Sequence, residues 1–223
     1  MFTHRATRLF AATLSATAGF VDAVGWLTSG GLFVSFMSGN VTKLGLGLAG
    51  HLDNVALGAG LIASFVGGVV IGSLVGRAAG NRQRDAVLWL VTGMMALAAL
   101  GLELHLLVPA VLILSASMGA KNTIFAENGE VKVGLTYMTG ALVRVGKRLA
   151  TAMLGGDRFG WVAPATLFFG MVFGATLGAM AQLAIGPRAL WIAVAVMLAL
   201  TLGSRWLPGP AETPLATEEA AGN

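Results

Sequence analysis

Residues 14–49 read LSATAGFVDAVGWLTSGGLFVSFMSGNVTKLGLGLA, and the chain states this stretch twice. LSATAGFVD (14–22) returns as LSASMGAKN (114–122), and FMSGNVTKLGLGLA (36–49) returns as YMTGALVRVGKRLA (137–150). At an offset of 102, Gly68, Gly72 and Gly76 meet Gly170, Gly174 and Gly178, and Leu88, Trp89 and Met95 meet Leu190, Trp191 and Met197. The offsets drift in order, from 100 through 101 to 102, which a chance match of membrane-like composition does not do. The chain therefore reads as two halves, 1–107 and 108–207, followed by a tail (208–223) whose prolines, glycines and glutamates predict disorder.

Composition sets the environment of both halves. With 56% hydrophobic and 11% charged residues, the chain belongs to the membrane class and not among soluble enzymes. Neither Val55–Gly76 nor Phe159–Pro187 contains a charged residue. Either run can cross a hydrocarbon core of about 30 Å at about 1.5 Å per helical residue. Ala86–Leu102 is a shorter clean run. The basic residues sit at the ends of apolar segments, which fits the orientation rule for membrane loops and not a nucleic-acid surface. The absence of cysteine excludes disulfides and thiolate metal sites.

Arg5 and Arg8, an apolar run and Ala16-Thr17-Ala18 imitate a secretory signal. Because the same LSAT pattern recurs at Leu114, deep inside the chain, Leu9–Leu27 reads as a retained first span. Leu32–Met37 is short and rich in aromatic and β-branched residues, which predicts an extended piece. Ser38 is the expected N-cap of a short helix from Gly39 to about Ala49. Extended backbone at membrane depth is tolerated only when it is buried in protein or lines a cavity, so residues 33–49 form a candidate broken or re-entrant element. The second half predicts the same around Thr139 and Gly140, within a segment from Val133 to Leu154. Further spans are expected at Pro109 to about Ala126, Trp161–Ala184 and Ala189–Ser204, with the polar loop ENGEVK between the first of these and the second broken element. The glycine stripe at 68, 72 and 76 predicts close helix packing.

Lysine and arginine placement orients the halves. If the broken elements cross fully, eight of the 14 basic residues lie inside and the Arg77–Arg84 cluster lies outside. If they are re-entrant, only Lys43 and Arg188 fall outside. The second arrangement obeys the positive-inside rule and makes the halves inverted repeats, each with three spans and one broken segment, with both termini cytoplasmic. The expected fold class is an all-α integral membrane protein.

An inverted pair brings its broken helices to the midplane, where helix N-termini at Gly39 and Gly140 favour an anion or an electron-rich group. Ser38, Asn40 and Thr139 add hydrogen-bonding groups. The alternative is that Ser-Gly-Asn and Thr-Gly only cap helices and permit packing. Asp22 is a carboxylate inside a span, and its repeat partner is Asn122, beside Lys121. Three uses stay open: a structural pair with Lys121, a proton-coupling acid, or a direct substrate contact. The candidate substrate-binding set is thus Asp22, Ser38, Gly39, Asn40, Lys121, Asn122, Thr139 and Gly140. His4, His51 and His105 lack ligand spacing, so no metal is expected. No phosphate loop, nucleophile elbow or zinc-protease motif is present, and neither an enzymatic activity nor a cofactor is expected.

GFVDAVGWL (19–27), FVSFMSGNVTKLGLGLA (33–49), MGAKNT (118–123) and YMTGALVRVGKRLA (137–150) resemble the bacterial YoaK-type family of small membrane proteins of unknown function. That family's pattern has G-x-x-D-A, T-G-N and M-G-x-Q-N. Ser38 replaces its threonine and keeps the hydroxyl, whereas Lys121 replaces its glutamine and adds a charge. The strand-then-half-helix reading is also similar in architecture to the sulfate-permease and uracil-permease folds, and implies transport by analogy. The expected function is secondary transport of a small polar solute, an anion by preference, across a bacterial inner membrane, with proton coupling through Asp22 one of the uses left open. A passive pore and a non-transporting scaffold are the competing readings. The expected partners are the solute, the lipid bilayer and a second copy of the chain in a homodimer, with no nucleic acid.

Overall fold

In a computed structural model, residues 5–51, 54–124, 126–127, 130–131 and 137–204 are described, with side chains for 9–51, 54–124 and 137–204. The acidic tail, His4 and part of the ENGEVK loop lie outside the described residues. Eight α-helices follow one another among the described residues: α1 (Arg5–Thr28), α2 (Met37–Leu48), α3 (Val55–Ala79), α4 (Gln83–Glu103), α5 (Leu107–Lys121), α6 (Met138–Met153), α7 (Val162–Ile185) and α8 (Ala189–Gly203). Between α5 and α6 lies a two-residue antiparallel ladder, β1 (Ala126–Glu127) with β2 (Glu130–Val131), where a helix end had been expected near Ala126.

Three apolar stretches are long enough to cross a membrane: Leu9–Thr28, Val55–Glu103 and Val162–Gly203. The last two each hold two helices joined by a 3₁₀ turn, at Gly80–Arg82 and Gly186–Arg188. Both turns open on a glycine with positive φ, 52° at Gly80 and 61° at Gly186, a conformation in which a Cβ is costly. Helix α1 is mostly buried, whereas most of the other two stretches is not, so α1 is interior and much of the rest faces outward. The exposed side chains include Val66, Val70 and Leu74 on α3 and Phe169, Phe173 and Leu177 on α7, an apolar exterior suited to lipid.

Packing explains the small residues. Ala12, Ala16 and Phe20 of α1 meet Gly170, Gly174 and Gly178 of α7, so the two helices run parallel. Leu61 and Gly72 of α3 meet Ser115 and Ala120 of α5, also in parallel. A Cβ at Gly68 would lie 1.9 Å from the Ala116 carbonyl oxygen, and one at Gly174 would lie 1.8 Å from that of Ala16. No side chain fits at either crossing. By contrast, α4 and α8 run antiparallel. Ser204 Oγ donates to Asp85 Oδ1 (2.7 Å), Thr92 and Thr201 share a hydroxyl bond (2.9 Å), and Trp191 Nε1 donates to Glu103 Oε1 (3.1 Å).

The internal correspondence is closer than the glycine stripe suggested, and its register differs. Ser15 Oγ donates to Leu167 O (2.8 Å), and Ser115 Oγ donates to Leu61 O (2.9 Å). Gly19 abuts Met171 O as Gly119 abuts Phe65 O. With Ser15 and Gly19 matched to Ser115 and Gly119, Leu61 corresponds to Leu167, Phe65 to Met171 and Gly68 to Gly174, each 106 residues apart. The two 3₁₀ turns are also 106 apart. The offset of 102 therefore slips by four residues, one helical turn. A glycine at every fourth position looks the same after that slip, which is why sequence alignment missed it.

Candidate functional site

The chain leaves α1 at Thr28, turns through Gly30 (φ 74°) and Gly31 (φ 99°), and runs without helix to Phe36. Helices satisfy their own amides, but this segment must find other acceptors. Ser29 Oγ donates to Leu32 O (2.8 Å) and accepts from Leu32 N (3.0 Å). Asp22, only 5% exposed, accepts from Val34 N (2.9 Å) and Ser35 N (2.8 Å) through Oδ1, and from Ser35 Oγ (2.7 Å) through Oδ2. Asn40 is fully buried; its Oδ1 accepts from Phe33 N (2.9 Å), and its Nδ2 donates to Phe33 O. One carboxylate and one amide thus hold residues 33–35 against α1 and α2.

Lys121 is the largest fully buried side chain, and its Nζ donates to the Leu14 carbonyl of α1 (2.6 Å). Among the described residues, no ion pair joins it to Asp22. The expected salt bridge is not made, because the segment 34–35 takes both carboxylate oxygens and Leu14 takes the ammonium. Asn122, 9% exposed, donates to Met118 O (3.0 Å) of its own helix.

Helix α2 starts earlier than the N-cap reading predicted. Its N-cap is Phe36, without a side-chain capping bond, and Ser38 is an exposed residue of the first turn. A second helix starts the same way: Phe36 has φ −87° and ψ 76°, and Tyr137 before α6 has φ −86° and ψ 72°. In each case the cap residue's ring lies over the glycine three positions on. A Cβ on Gly39 would fall 2.6 Å from the Phe36 ring, and one on Gly140 would fall 2.2 Å from the Tyr137 ring. Both glycines are explained by an aromatic ring folded over the first turn. The signal was visible as F-M-S-G beside Y-M-T-G, but neither aromatic was singled out.

Asp22, Asn40 and the lead-in to α2 are brought together, with Lys121 buried at the neighbouring α1–α5 contact. Thr139 is exposed and Gly140 buried at the start of α6. Helix α2 packs on α3 and α6 on α7, while α2 and α6 are not packed on each other. Four partners escaped the sequence reading: Val34 and Ser35 at Asp22, Phe33 at Asn40 and Leu14 at Lys121. Among the described residues there is no group of three or more His, Asp or Glu side chains able to hold a metal.

With this geometry in view, residues 10–203 match the family described as "Protein of unknown function (DUF1275)". The chain belongs to the DUF1275 family. It is 36% identical over 202 residues to the UPF0700 transmembrane protein RA0705 of Rhizobium meliloti (strain 1021), covering 88% of this chain and 85% of that protein. It is 30% identical over 146 residues to the UPF0700 transmembrane protein YoaK of Bacillus subtilis (strain 168), covering 58% of this chain and 61% of that protein. No solved structure matches. The YoaK-type resemblance is borne out, and the chain is a multi-pass membrane protein.

Proposed function

We propose that this DUF1275 protein is a secondary transporter of a small polar solute, an anion by preference, and not an enzyme. The observation that carries the reading is the non-helical segment 33–36, held in the interior by Asp22 and Asn40 immediately before α2. Irregular backbone at membrane depth is costly unless protein or a cavity satisfies it, and transporters use such breaks to aim helix N-termini at substrate. The amides of Ser38 and Gly39 have no acceptor among the described residues, and the hydroxyl of Ser38 is exposed beside them. The like-built start of α6 would supply Thr139 and Gly140 as a second half-site, with Lys121 and Asn122 as further polar groups of the set.

The helix directions favour two inverted halves. Helices α4 and α8 occupy corresponding places in the order of elements and run antiparallel, while α1 pairs with α7 and α3 with α5 in parallel. Combined with the basic residues, this supports both termini on the cytoplasmic side of a bacterial inner membrane. Within this reading, Asp22 positions the broken segment, and a proton-coupling role would require it to release Val34 or Ser35. Purified protein in liposomes should give saturable uptake and counterflow of a small anion found by thermal-stability screening. Flux that rises linearly with concentration, without counterflow, would replace the carrier by a pore. A chain that neither binds nor moves any screened solute would be a scaffold.

A further inference from the structure

Helices α2 and α6 begin alike and then diverge in charge. Where α2 has Lys43, Leu46 and Gly47, α6 has Arg144, Lys147 and Arg148. The single cation of α2 is turned back onto the protein: Lys43 Nζ lies 5.9 Å from the Trp26 ring centre and 5.4 Å from that of Phe33. In α6, Arg144 and Lys147 are exposed. Arg148 lies beside Asp157 against Gly160 and does not belong to the free face. No acid occurs anywhere in residues 138–153.

At about 100° per residue, Arg144 and Lys147 share one side of the exposed surface of α6, and Leu142, Leu149 and Met153 share the other. Those three apolar side chains are 48%, 41% and 87% exposed. The two sides are centred roughly 170° apart, and a cationic side opposite an apolar side is the arrangement of a helix lying at the boundary between headgroups and acyl chains. We propose that α6 docks on anionic phospholipid headgroups, with Arg144 and Lys147 on the phosphates and Leu142, Leu149 and Met153, on the opposite side, among the chains. The apolar half selects lipid over a free anion, which would gain nothing from it. The proposal does not depend on transport.

The test uses the full-length protein in nanodiscs of phosphatidylglycerol and phosphatidylcholine with matched chains, so that both faces meet the same lipids. Native mass spectrometry then counts the lipids retained on release. Phosphatidylglycerol should be retained in excess over its share of the disc, and higher ionic strength should erode that excess. The R144Q/K147Q variant should lose roughly tenfold in this preference, since each cation near an anionic surface contributes comparably. R144K/K147R and K43Q should keep it. Equal retention of the two lipids, a preference insensitive to salt, or a preference surviving in R144Q/K147Q would overturn the proposal. Displacement of the lipid by millimolar glycerol 3-phosphate would overturn it in favour of a free-anion site.

Discussion

Helices α2 and α6 share a sequence pattern and a start to within a few degrees of backbone rotation, and they differ in what surrounds them. The lead-in of α2 is clamped by Asp22 and by Asn40. At the repeat positions stand Asn122, an amide in place of the carboxylate, and Ala141, which has no side-chain polar atom. Further along, α2 has one cation folded onto aromatic rings, while α6 presents two to its surroundings. The shared part is steric, a ring over a glycine, and it survives duplication because any side chain there collides.

The comparison can be broken most forcefully at Asp22. In Asp22→Asn the amide can replace only one acceptor oxygen, and its own N–H groups face the donors of Val34 or Ser35. With a buried donor left unsatisfied at about 1–3 kcal/mol each, the thermal midpoint of the purified protein should fall clearly. A midpoint unchanged in Asp22→Asn would mean that the carboxylate does not hold the segment. Asn40→Ala, which gives α2 the residue found in α6, removes both bonds to Phe33 and should cost about 1–3 kcal/mol in denaturant or heat.

The ring-over-glycine contact should behave alike in both helices. Gly140→Ala forces the Tyr137 ring to move and should cost about 1–3 kcal/mol, with Gly39→Ala somewhat less because its ring is farther away. Adding Tyr137→Leu to Gly140→Ala should recover part of the loss; if the double variant is no better than the single, the ring is not the cause. The smallest effect belongs to Lys43→Met, which removes the cation from the Trp26 and Phe33 rings at about 0.5–1 kcal/mol, visible as a small shift in midpoint and in tryptophan emission.

Much of the fold was legible because membrane helices announce themselves by composition and the chain repeats itself. The expected Trp161–Ala184 and Ala189–Ser204 differ by one residue at each displaced end from α7 and α8. The break before α2 was legible from the short aromatic and β-branched run. The N-cap was misassigned because Ser38 has the right chemistry but the helix begins one residue before it, at Met37. Of the three uses left open for Asp22, the direct salt bridge with Lys121 is not formed, for a related reason. Opposite charges in apolar surroundings suggest each other, yet a non-helical segment offers unsatisfied amides nearer at hand, and these take the carboxylate.

By itself the sequence determined the environment, the internal repeat, the positions of most helices and the break before α2, since each follows from local composition and repetition. Only the tertiary structure decided the true register of the halves, one helical turn from the apparent one, because a four-residue glycine period is blind to that slip. It alone also decided the partners of Asp22, Asn40 and Lys121. Hydrogen-bond acceptors are chosen by proximity in space, and Leu14 and Lys121 are 107 residues apart along the chain.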